Sequence, residues 1–260
     1  MRLLFIFFSA TFFLSACVSQ ETIVTTSNTG AGGINQFNPE KAAKTRVKLA
    51  VIYLRNNDMQ QAKANLDKAI RYQPNDANVH RVFAYYYQRV NENDSAEEYY
   101  KKSLELDPEN ADTYNNYGTF LCKLARYEEA EQSFMQAIAQ SYYTSVANTY
   151  ENAALCAEKA SVNHKAIFYY QYALSHNPKK IYLYLSLARL NINQKGYAEA
   201  RLNLFNYQKH SKASAESLWQ WIRLSYVTEK DASLSKYAGQ LLEQFPDSQR
   251  ALDYLNHEYY

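Results

Sequence analysis

An all-α fold built from repeated helix pairs is what this 260-residue chain predicts, on three observations. Alanine recurs at a fixed spacing: Ala62, Ala96 and Ala130 stand 34 residues apart, Ala166 follows after 36, and Ala200 after 34 again. Proline recurs in step, twelve residues later, at Pro74, Pro108 and Pro178, with Pro246 two periods further on. Only 6 glycines and 5 prolines leave little turn chemistry for a sheet, in a chain that is 47% hydrophobic and 21% charged.

A period of 34 residues is that of the tetratricopeptide repeat. The chain is therefore read as a solenoid over residues 41–256, with about six helix-turn-helix units in a right-handed superhelix, near 43–76, 77–110, 111–146, 147–180, 181–214 and 215–248. The first unit offers Leu49, Ala50 and Tyr53, then Ala62, Leu66 and Ala69; the second Phe83, Ala84 and Tyr87, then Ala96 and Tyr100. The third has Tyr114, Tyr117, Gly118 and Leu121, then Ala130, Phe134 and Ala137, and the fourth Tyr150, Ala153, Ala154, Ala166, Tyr170 and Ala173. Tyr184, Leu187, Ala188, Ala200 and Leu204 mark the fifth, and Leu218, Trp221, Ile222, Leu234 and Ala238 the sixth. The small residues let helix backbones approach, the large ones fill the spaces between, and proline stops the second helix of a unit.

Two irregularities stand out. The third unit is two residues longer, with Ser141-Tyr142-Tyr143-Thr144-Ser145 where its proline would lie. The sixth has Leu234 in the small-residue slot and is read as a cap, packed on one neighbour only.

Ahead of the array, residues 1–16 carry Arg2, an apolar run from Leu3 to Leu14 and small residues before Cys17, the parts of a secretory signal too short to span a bilayer. Leu14-Ser15-Ala16-Cys17 resembles the lipobox of bacterial lipoproteins, in which the Cys is acylated and becomes the new N-terminus; the alternative is a plain signal peptide with a chance Cys. By the same resemblance, Val18 rather than Asp after the Cys favours the outer membrane. Residues 17–40 then form a polar linker containing Gly30, Gly32 and Gly33, with no means to bury a core. About 24 such residues span roughly 25–30 Å, enough to hold a folded domain clear of lipid headgroups.

Composition and motifs argue against several functions. A net charge of +2 is far from the basic balance that nucleic-acid binding needs. No phosphate-binding glycine loop, Gly-x-Ser-x-Gly or His-Glu-x-x-His is present, so neither catalytic residues nor a small-molecule substrate or cofactor is expected. His80, His164, His176, His210 and His257 are scattered among units, and no Cys-x-x-Cys offers a metal site. Cys122 and Cys156 fall on the first helices of neighbouring units, where facing positions come within disulfide reach; an oxidising compartment would pair them, and two inert buried thiols are the alternative.

A solenoid also offers a concave groove lined by its first helices. Counted from the repeat frame, the groove residues are Asn78, Arg81, Tyr85 and Gln88; Asp112, Asn115 and Thr119, with Asn116 at the edge; and Asn148, Glu151, Asn152 and Leu155. Amides interspersed with aromatic and aliphatic groups suit an extended or helical peptide, although exposed polar side chains are also what a solvated face looks like. Asp112 stands where a clamp for a terminal carboxylate would need a cation, which disfavours that mode. The tyrosines of Tyr85-Tyr86-Tyr87, Tyr99-Tyr100 and Tyr169-Tyr170 fall largely on packing slots, with their hydroxyls expected to reach the surface.

Lipobox, linker, Leu106-Asp107-Pro108, Asn115-Asn116-Tyr117-Gly118-Thr119-Phe120-Leu121-Cys122, Glu151-Asn152-Ala153-Ala154-Leu155-Cys156 and Phe245-Pro246-Asp247-Ser248 together resemble the type IV pilus biogenesis and stability lipoproteins along nearly the whole chain. The resemblance implies a lipoprotein of the pilotin kind, anchored through Cys17 on the periplasmic face of the outer membrane, which helps the pilus secretin localise and multimerise. It departs from the family at Ala154, where Gly is expected, and at Ala157–Asn163, which lacks a Gly-Asp turn. The alternative is a general periplasmic scaffold for outer-membrane or cell-wall assembly complexes.

Overall fold

The structure is a computed structural model that describes residues 37–258. The predicted signal segment, Cys17 and most of the linker lie outside the described residues. Thirteen helices and no strand are found among the described residues, all within the unit Asn38–Tyr260. Twelve form six pairs: α1 (Pro39–Arg55) with α2 (Met59–Tyr72), α3 (Ala77–Arg89) with α4 (Asn93–Leu106), and α5 (Ala111–Lys123) with α6 (Tyr127–Ile138). The others are α7 (Val146–Lys159) with α8 (Asn163–His176), α9 (Leu183–Asn193) with α10 (Tyr197–His210), and α11 (Ala215–Val227) with α12 (Asp231–Gln244); α13 (Gln249–Leu255) stands alone.

Helix starts follow from local chemistry. Asn38, Asp58, Asp76, Asn110, Ser214 and Ser248 each accept a hydrogen bond from a first-turn N–H. Pro39 opens α1, where its missing N–H costs nothing, so the helix begins four residues ahead of the first predicted unit.

The turn inside every pair has one conformation. Asn57, Asn91, Ala125, Ser161, Lys195 and Glu229 all sit in the left-handed region, at φ between 52° and 62°. In each turn the next N–H bonds back five residues, Asp58 to Tyr53 at 2.9 Å and Val162 to Ala157 at 2.8 Å, which satisfies carbonyls the helix leaves open. The fourth turn, which lacks the glycine of the resembled family, forms all the same with Ser161 in the strained position.

Packing follows the small-residue slots. Ala62, Ala96, Ala130, Ala166 and Ala200 are each 0% exposed, as are Ala50, Ala84, Ala154 and Ala188 on the first helices. At Gly118 an added Cβ would lie 2.8 Å from the Phe134 ring, so glycine is required there. Beside it Cys122 and Cys156 form a disulfide across α5 and α7, with Cα atoms 5.8 Å apart.

The ends of the array differ from expectation. The sixth pair is not the last element among the described residues, because α13 begins 34 residues after α11 and acts as the first helix of a seventh unit. Its Ala251 packs into the cluster of Leu218, Trp219 and Ile222, while Arg250 lies over the Trp219 ring and donates to Glu216 at 2.6 Å. In the long link after α6, Tyr143 turns inward to share a hydrogen bond with Thr149 at 2.7 Å, and Tyr142 is 97% exposed.

Candidate partner-binding site

All the predicted groove residues lie on first helices: Asn78, Arg81, Tyr85 and Gln88 on α3, Asp112, Asn115, Asn116 and Thr119 on α5, and Asn148, Glu151, Asn152 and Leu155 on α7. Their surroundings divide them. Arg81 donates to Asn78 within α3, and Arg89 donates to the Tyr85 hydroxyl at 3.3 Å. Gln88 accepts from Tyr100 at 3.0 Å, and Asn152 donates to Asn115 across α5 and α7 at 3.0 Å. Asn116 is half-buried, whereas Asp112, Thr119, Asn148 and Leu155 are exposed.

The tyrosines correct one expectation. Tyr100 and Tyr170 are 0% and 1% exposed, and their hydroxyls do not reach the surface. They cross to the first helix of their own unit, Tyr100 to Gln88 and Tyr170 to Glu158 at 2.6 Å. A buried hydroxyl needs such a partner. At the equivalent slots of the third unit the pair is replaced together, by Phe134 and Cys122, which removes the hydroxyl and its acceptor at once.

The first-helix ladder opens at one place. Among the described residues α1 and α3, α3 and α5, α5 and α7, and α9 and α11 are neighbours, whereas no Cα of α9 comes within 8 Å of α7. Side chains bridge the opening. Lys180 donates to Glu151 at 2.6 Å, the Tyr182 hydroxyl donates to the same carboxylate at 2.9 Å, and Arg189 donates to Glu158 at 2.6 Å. Burial works to lower the Lys180 ammonium, but its bonds to Glu151 and Tyr182 outweigh this and leave its pKa raised. Burial, reinforced by Glu158, pushes the Tyr170 hydroxyl well above its ordinary range.

Leu155 sits between these two bridges, one helical turn from Glu151 and nearly one from Glu158, and is 47% exposed. Tyr182, bonded to Glu151, is 48% exposed, with the Lys180 ammonium 5.7 Å from its ring centre. An exposed leucine among fixed carboxylates and amides is the kind of side chain against which an apolar residue of a bound segment buries. Glu158, Lys180, Tyr182 and Arg189 are absent from the predicted set. The signal for two of them was available: Tyr182 and Arg189 stand 34 residues after Asn148 and Leu155, so the frame carried one unit further reaches them.

Among the described residues no group of three His, Cys, Asp or Glu is placed to hold a metal ion, and no helix is long and apolar enough to cross a membrane.

The tetratricopeptide repeat family matches residues 43–76, 82–110 and 99–132. The type IV pilus assembly protein PilF of Pseudomonas aeruginosa is 31% identical over 227 residues, spanning 85% of this chain and 90% of that one. The chain belongs to the PilF family. Solved structures agree: pilF of Pseudomonas aeruginosa superposes with a TM-score of 0.69 at 29% identity, covering 84% of this chain and 99% of that one. PilW, described as a widely conserved type IV pilus biogenesis factor, superposes at 0.70 with 26% identity, covering 83% and 99%. Family membership makes this a tetratricopeptide-repeat protein of type IV pilus biogenesis, a scaffold for protein–protein contact.

Proposed function

We propose that the chain is an outer-membrane lipoprotein of the pilotin kind, which binds a segment of the type IV pilus secretin on its first-helix face and helps the secretin reach the outer membrane and multimerise. In this reading residues 1–16 are a cleaved signal, Cys17 carries the acyl chains, residues 17–40 are a spacer and the helical array from residue 41 to 256 is the binding domain. Multiple acyl chains anchor stably where one does not.

The observation that carries the binding half of the reading is the opening between α7 and α9, where exposed Leu155 lies between two fixed ion pairs. Family membership supports the pilus half. The test is capture of solubilised secretin by purified domain carrying Leu155→Asp. The parent retains secretin and the variant loses about tenfold or more, as burying a carboxylate at an apolar anchor demands. Equal capture by both removes the site.

A further inference from the structure

The outer surface of the fourth and fifth units carries features that protein binding on the first-helix face does not use. One second-helix slot reads Ala64, Glu98, Gln132, Phe168, Leu202 and Lys236 through the six units. Only α8 and α10 place a large apolar side chain there, and both are open to solvent, Phe168 at 49% and Leu202 at 60%. Each is extended by a neighbour on its own helix: Tyr172, 41% exposed, whose ring lies 4.5 Å from Phe168, and Phe205, 54% exposed. Exposed apolar side chains clustered on one face mark an interaction surface.

Charge is segregated along the same stretch of the chain. Between Ala160 and Ala215 stand eight lysines and arginines and one acid, Glu199, in a chain whose net charge is only +2. Lys165, Lys180 and Arg189 are taken by Glu131, Glu151 and Glu158. Lys179, Lys195, Arg201, Lys209 and Lys212 make no ion pair among the described residues. Phe205 also rims a hollow of about 170 Å³ between α10, α11 and α12, which contains the cations Arg201 and Lys230 and Ser233 and has no carboxylate in its lining. Glu229 and Asp231 flank Lys230 in sequence without entering that lining.

We infer that the outer face of α8 and α10 seats on an anionic phospholipid surface, with Phe168, Leu202 and Phe205 entering the headgroup boundary and the surrounding cations meeting lipid phosphates. Exposed aromatic and aliphatic groups accompanied by Lys and Arg are the chemistry of peripheral membrane contact, each cation strengthening attachment to an anionic surface. A protein partner would be served by the apolar groups alone; the excess of unpaired cations, with Arg201 and Lys230 lining the hollow beside Phe205, favours lipid. The inference goes beyond the pilotin reading, because it holds for a chain with no acyl group.

The test is flotation of residues 18–260, which lack any acyl anchor and retain every helix and all four core clusters. Vesicles of phosphatidylethanolamine, phosphatidylglycerol and cardiolipin are compared with phosphatidylcholine alone. The protein is expected to float with the anionic vesicles only and to be released by about 0.5 M NaCl. Phe168→Ser/Leu202→Ser and Lys209→Glu/Lys212→Glu, all at exposed positions, are each expected to weaken binding about tenfold with unchanged thermal unfolding. Equal flotation with neutral vesicles, no flotation at all, or double variants that float as the parent does would overturn the inference. So would a parent that stays with neither vesicle and elutes as a dimer that Phe168→Ser/Leu202→Ser makes monomeric, since the face would then join two copies.

Discussion

The Tyr170 hydroxyl donates to Glu158 Oε1 at 2.6 Å, tying a fully packed second-helix ring to a carboxylate that Arg189 holds from the next unit. The core of the fourth unit is thereby joined to the edge of the candidate site. Tyr170→Phe removes the hydrogen bond while keeping the ring, and should lower stability by about 1.5–3 kcal/mol, the range for a bond to a charged group. Tyr100→Phe, whose acceptor is the neutral Gln88, should cost about 1 kcal/mol. Urea denaturation measures both, and an unchanged midpoint for Tyr170→Phe would show that the bond contributes nothing net.

Glycine at 118 and phenylalanine at 134 form a second coupled pair. Gly118→Ala places a methyl 2.8 Å from the Phe134 ring and should destabilise by about 1–3 kcal/mol, as overpacking does. Trimming the ring in Gly118→Ala/Phe134→Leu should recover part of that loss. A double variant less stable than the sum of the singles would contradict the coupling.

In the turns, the opposite exchange should stabilise. Ala125 and Glu229 hold φ of 59° and 52°, a region that disfavours any side chain with a Cβ. Ala125→Gly and Glu229→Gly should each stabilise by up to about 1 kcal/mol, the relief of strain set against glycine's greater freedom in the unfolded chain. Melting temperatures that fall in both variants would mean the strain is absent.

Acid stability should depend on Glu97. The Arg126 guanidinium beside it, helped by Lys101 and Tyr117, lowers its pKa from the ordinary 4.5 to about 2. A carboxylate held below its unfolded value contributes stability that is full above about pH 4.5 and is lost as pH falls toward 2. With both partners partly exposed, the contribution is at most about 3 kcal/mol. Glu97→Gln should therefore flatten the loss of stability between pH 4.5 and 2, relative to the parent. Parallel curves for the two proteins would rule that role out.

What was legible in the sequence is what repeats. The alanine and proline slots are set by helix packing common to every unit, so spacing alone located six pairs. Features made by one unit against another left no period to read. The opening between α7 and α9 comes from how two neighbouring pairs sit, and its bridges join residues as far apart as Glu158 and Arg189. The destination of the Tyr170 hydroxyl was hidden for a different reason: nothing in a packing slot says where its polar tip ends. Helix α13 was missed because half a unit lacks the second-helix alanine that identifies a repeat.

The central claim, that a membrane-tethered repeat domain promotes secretin assembly, is tested most directly by the location and multimer content of the secretin in cells whose only copy carries Cys17→Ala. The account predicts a folded, soluble domain, with secretin multimers depleted from the outer membrane and the loss restored by a wild-type copy. Secretin multimers at normal abundance in the outer membrane of the Cys17→Ala strain would contradict it.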